Sequence, residues 1–93
     1  MREREIEQAL VRAVKKRNGM AFKFVSPGIN GVPDRIVLLK NKKIFFVELK
    51  RPGGKMRALQ EKRKAQLGEL GFQVFCIDDK DEIEVILDAM ESS

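Results

Sequence analysis

The stretch "KIFFVELK", residues 43–50, constrains the chain most. In an extended strand, Ile44, Phe46, Glu48 and Lys50 would share one face, and Phe45, Val47 and Leu49 the other. Both faces are apolar for most of the length, so the strand needs cover on both sides and belongs in the interior of a layered sheet. The polar residues are confined to its far end. A preceding strand, "DRIVLLK" (34–40), likewise carries an aspartate at its head, with Asp34, Ile36 and Leu38 on one face.

Around this pair the rest of the chain reads readily. Ile6, Leu10, Ala13 and Val14 have helical spacing and predict a helix over 3–17, stopped at Asn18-Gly19. The alternation in "MAFKFVS" predicts a strand over 20–26, with Phe22 and Phe24 on one face, and "PGINGVP" (27–33) is a loop. "RPGGK" (51–55) breaks the third strand. A second helix is expected over 56–70, ended by Gly71, followed by a strand over 72–77. The segment from Asp78 then caps and forms a last helix with Ile83, Ile86, Leu87 and Met90 on one side. The order is α-β-β-β-α-β-α, and the closing β-α-β unit sets strand four parallel to strand three. The expected class is α/β, one mixed sheet flanked by helices. At 93 residues the chain is expected to be one domain, 1–93.

Composition narrows the chemistry. The chain has no His, Tyr or Trp and a single Cys. Histidine acid–base catalysis, serine–histidine triads, tyrosine nucleophiles and a zinc site within one chain are all excluded. Any metal must be a hard, oxygen-ligated cation. Cys76 lies in an apolar run and reads as a core thiol suited to a reducing compartment. No apolar stretch is long enough to span a membrane, and the charged start "MREREIEQ" is unlike a signal peptide, so the expected location is the cytoplasm. The net charge of +5 favours a polyanionic partner.

The register of strands two and three decides whether their polar ends meet. A two-residue turn would set residue 34 opposite 49, and Asp34 and Glu48 would face opposite ways. A three-residue turn, Lys40 to Lys42, pairs 39 with 43 and sets Asp34 opposite Glu48. It also sets Ile36 against Phe46 and Leu38 against Ile44, a coherent apolar layer, and is the register chosen. Two opposed carboxylates with Cβ atoms roughly 4.5–5.5 Å apart repel and call for a cation. Lys50 on the same face supplies part of that charge, and a divalent metal would supply more. An isolated E-x-K is ordinarily a strand end reaching water. The preceding "PD", the hairpin of the right length and the polar cluster at one end of an apolar pair argue against that here.

"GVPD" followed by "ELK" resembles the PD-(D/E)xK nuclease superfamily. "GVPDRIVL", "FVELKRPGGK" and Gln60 together resemble its VRR-NUC branch over nearly the whole chain. The resemblance implies a restriction-endonuclease-like α-β-β-β-α-β core with a C-terminal helix. It also implies a divalent-metal-dependent endodeoxyribonuclease. Asp34, Glu48 and the main-chain carbonyl of Leu49 would bind Mg²⁺ or Mn²⁺. The metal would polarise the scissile phosphodiester, and Lys50 would hold a water and offset transition-state charge. Gln60 would orient Lys50 or a water. A third carboxylate would come from helix one, Glu7 by its apolar neighbours or else Glu3.

Basic residues cluster at Lys15, Lys16, Arg17, at Lys40, Lys42, Lys43, and from Arg51 onward. Arg51, Lys55 and Arg57 adjoin the expected active centre and are the candidate phosphate contacts. The stand-alone proteins that the chain resembles act as homodimers on branched DNA, so a structure-selective, Holliday-junction-resolving nuclease is expected. A non-catalytic or partner-dependent nucleic-acid-binding module, or nuclease subunit, is the alternative.

Overall fold

The structure, a computed structural model, describes residues 1–93. Helix α1 (Glu3–Lys16) leads into strands β1 (Met20–Lys23), β2 (Arg35–Leu39) and β3 (Lys43–Leu49). Helix α2 (Ala58–Glu69), strand β4 (Val74–Ile77), a 3₁₀ turn (Lys80–Glu82) and helix α3 (Ile83–Ser92) complete the chain. The sheet order is β1-β2-β3-β4, antiparallel except for the parallel β3–β4 pair. This is the α/β architecture expected of the sequence.

The β2–β3 register is the one the apolar layering selects: Leu39 pairs with Lys43, Leu38 with Ile44 and Ile36 with Phe46. The connecting turn is unusual in its chemistry. Asn41 and Lys42 both take left-handed backbone angles, φ 65° and 61°. Asparagine tolerates that region, whereas a lysine pays for its Cβ. Lys42→Gly should therefore stabilise the fold by about 0.5–1 kcal/mol after glycine's own entropic loss. Thermal unfolding should show a midpoint higher by about 2–8 °C; an unchanged or lower midpoint would contradict this turn.

Helix ends follow from local bonding. Asn18, left-handed at φ 61°, ends α1 with the paired bonds Gly19 N to Val14 O and Asn18 N to Lys15 O, both 3.0 Å. Gly71 ends α2 in the same way, with Phe72 N donating to Leu67 O at 2.9 Å. That bond takes Phe72 out of the sheet, so β4 starts at Val74 and not at 72. β1 ends at Lys23 and not at 26, because its last bond, Phe24 N to Asp34 O at 2.8 Å, is followed on the partner side by Pro33, which has no N–H.

The core lies between one sheet face and the helices α1 and α3. Ile6, Leu10 and Val14 meet Val37, Val47, Leu49, Ile77 and Leu87 there. Each such side chain, fully buried, contributes about 1.5–3 kcal/mol. Two basic residues fasten the helices. Arg17 bridges to Glu84 (2.7 Å), Asp88 (2.9 Å) and Glu91 of α3. Lys43 donates to the carbonyls of Met90, Glu91 and Ser93, where a cation suits the end of a helix.

The other face is covered unequally. Phe46 lies between Phe24 and Phe72, each with ring centroids 5.7 Å away. Toward β1 the cover stops, and Met20, Phe22 and Ile44 are exposed at 56%, 45% and 42%. Helix α2 lies at the β4 end and buries none of its residues. No helix is long and apolar enough to cross a membrane.

Candidate active site

Asp34 stands just before β2, behind buried Pro33, at the position opposite Glu48. Its Oδ2 accepts a hydrogen bond from Leu49 N at 2.9 Å. In an extended strand residue the N–H and C=O point to the same side. The carbonyl of Leu49 therefore lies on the Asp34 side as well.

Glu48 is the one buried charged residue of the protein, 2% exposed. Its Oε2 accepts from Gln60 Nε2 at 2.7 Å and pairs with Lys50 Nζ at 3.3 Å. Its Oε1 is buried without a partner. Burial pushes the Glu48 carboxyl above the ordinary glutamate range and the charge of Asp34 adds to this, while Lys50 opposes both. A buried acceptor left unpaired costs about 1–3 kcal/mol. A carboxylate oxygen held in that state beside a second carboxylate and a main-chain carbonyl is the donor set a hard divalent cation takes. The residues fit Mg²⁺ or Mn²⁺.

Gln60 is expected to orient Lys50 or a water. It binds Glu48 directly, and its Oε1 accepts from Arg57 N at 2.9 Å, so the first turn of α2 fixes the amide at both ends. The helix-one glutamates separate. Glu7, the residue favoured by periodicity, is committed to Arg35 Nε at 2.8 Å, and Arg35 also donates to Ala21 O at 3.0 Å. Glu3 is the one whose charge reaches Glu48. No three acidic or other metal-ligating side chains form one group.

Arg51, Lys55 and Arg57 are exposed in the loop beyond Lys50. That loop is shaped by Gly54 N donating to Arg51 O at 2.8 Å and by Gly53 N donating to Asp78 Oδ2 at 3.2 Å. Arg17 and Lys43, counted among the basic clusters, are occupied within the fold. Cys76, read from the sequence as a core thiol, is half-buried in β4 and in register with Glu48. Burial raises its thiol pKa, and the charge of Glu48 adds to that. The parallel pairing of β3 and β4 was legible in the sequence, but the offset that aligns Cys76 with Glu48 was not. None of the five surface depressions is lined by Asp34, Glu48 or Lys50. The cluster lies at the end of β3 and the start of β2.

No protein-family profile matches the chain. A protein of Acyrthosiphon pisum secondary endosymbiont phage 1, named "Putative nuclease p44", is 52% identical over 81 residues, covering 87% of each chain. A solved structure described as a VRR_NUC domain superposes with a TM-score of 0.86 at 22% identity, over 92% of this chain and 94% of that one. Sequence relative and fold agree: the chain belongs to the family of that phage protein, named as a nuclease, and has the fold of a VRR_NUC domain.

Proposed function

We propose that the protein is a divalent-metal-dependent, structure-selective DNA endonuclease that acts as a homodimer on four-way junctions. The observation that carries this reading is Glu48, buried beside Asp34 with one oxygen unpartnered. Asp34, Glu48 and the Leu49 carbonyl would hold the cation. When bound it supplies Lewis-acid polarisation of the phosphodiester and lowers the pKa of a water. Lys50, already against Glu48 Oε2, holds that water and offsets the charge that develops on the phosphoryl oxygens. Gln60 fixes Glu48 through the same Oε2, and the unpartnered Oε1 would be the oxygen offered to the cation. Glu3, the α1 carboxylate near enough for its charge to act on Glu48, would be the further support in place of Glu7, which Arg35 holds.

Arg51, Lys55 and Arg57 take the neighbouring phosphates without reading bases. The bare apolar face at Met20, Phe22 and Ile44 supports pairing of two copies, since exposed patches of that kind mark association surfaces. Two symmetry-related sites suit paired nicks across a junction.

The test is cleavage of end-labelled four-way junction, flap and linear duplex DNA with Mg²⁺, Mn²⁺ or EDTA. Symmetric nicks near the junction centre are expected, abolished by EDTA and by Lys50→Ala. Binding without cuts on every substrate and with either metal would overturn the enzymatic reading.

A further inference from the structure

Helix α2 carries Gln60 to the active site, yet little of the helix is anchored. Only Gln60, Arg63 and Leu67 are even half-buried, and they form its inner stripe. Gln60 meets Glu48. Arg63 Nε donates to the carbonyl of Asn30 at 2.7 Å, one residue before Gly31. Gly31 has φ +82°, and a Cβ there would lie 2.7 Å from Leu59 Cγ and 2.9 Å from the Leu59 main-chain oxygen. Leu59 immediately precedes Gln60. The loop leading to Asp34 and the start of α2 therefore touch backbone to backbone, in a gap that only glycine fills.

We infer that Gly31 and Arg63 are positioning residues of the active site: together they seat α2 against the loop before Asp34, at the separation from which Gln60 reaches Glu48. The loop thus does two things. It delivers Asp34 through Pro33, and through Gly31 and Asn30 it places the amide that holds the second carboxylate. A methyl group at residue 31 has two ways to be accommodated, and both move that amide. Either α2 retreats, or the backbone leaves its left-handed angle and shifts the loop. Arg63→Ala removes the bond to Asn30 while leaving the gap open, so α2 is loosened and not displaced.

The inference rests on the nuclease reading for its kinetic part only, and a spectroscopic measurement on the full chain separates the two. In the wild type, one side-chain amide proton of Gln60 is expected downfield and slow to exchange, because it is bonded to Glu48. In Gly31→Ala and Arg63→Ala that signature should disappear, while β1 and α3 amides stay in place. Arg63→Lys, which keeps one donor for Asn30, should restore most of it. In parallel, kcat for junction cleavage should fall about 100-fold for Gly31→Ala and about 10-fold for Arg63→Ala, with KM nearly unchanged.

Unmoved Gln60 signals in the folded variants would overturn the proposal. If Gly31→Ala does not fold, the Arg63 variants decide it. A rise in KM with kcat intact would make Arg63 a DNA contact and not a positioning residue. If the wild type cuts nothing, the nuclease reading fails, but the Gln60 signals still decide this inference.

Discussion

Glu48→Gln is expected to reduce DNA cleavage by about 10³-fold or more while leaving a protein no less stable at neutral pH. The loss of rate follows from removing one of the two carboxylates proposed to hold the cation, whose transition-state stabilisation would be worth several kcal/mol at about 1.4 kcal/mol per tenfold. The stability outcome follows from the same burial. The Glu48 carboxyl titrates above its ordinary value, so the folded state binds its proton more tightly than the unfolded state. Its contribution is fully present below the ordinary glutamate value and is lost as pH rises through the raised one. A glutamine has no such loss, and the stability gap between variant and wild type should widen as pH rises. Added Mg²⁺ should raise the unfolding midpoint of the wild type and not of the variant. Single-turnover cleavage and thermal unfolding from pH 4 to 8 check both halves. A variant cutting within tenfold of wild type would remove Glu48 from the metal site.

Lys50→Ala should lower the rate by about 10²–10⁴-fold, in the range of a positioned proton-handling or charge-stabilising group. It also takes away the cation 3.3 Å from the buried carboxylate. Without metal the variant should lose about 1–3 kcal/mol at neutral pH, an amount limited because Glu48 can take up a proton instead. Mg²⁺ should restore much of that stability, since a divalent cation answers the same charge, but not the rate. Denaturant unfolding with and without Mg²⁺, beside cleavage assays, separates the two roles. Recovery of cleavage by excess Mg²⁺ alone would reduce Lys50 to a counter-ion.

Much of this site could be read in the chain because sheet periodicity is strict. Ile36, Leu38, Ile44 and Phe46 form a coherent layer in only one of the two registers considered, and that register brings Asp34 to Glu48. Helix ends were legible for the same local reason, in Asn18-Gly19 and Gly71. What escaped depends on long-range packing. The rotation of α1 against the sheet sets whether Glu3 or Glu7 approaches the carboxylates, and Arg35, which binds Glu7, looks from its position like any strand arginine. Gln60 could be placed on α2, but its partner depends on where that helix sits. Arg17 and Lys43 look in the sequence like other members of the basic clusters, and only the position of α3 shows that they are taken up within the fold. Strand ends were read two or three residues too long where a proline or a helix cap withdrew a ladder bond.

Helix α2 faces outward along most of its surface and hides nothing in the core, while lending one amide to the chemistry. Substitutions at exposed positions of this kind usually change stability by no more than about 0.5 kcal/mol. Its outward residues, Lys62 and Lys64 among them, can therefore drift without endangering the fold. The side chain that α2 lends to Glu48 and the packing that holds the fold together lie in separate parts of the sequence and can evolve at different speeds.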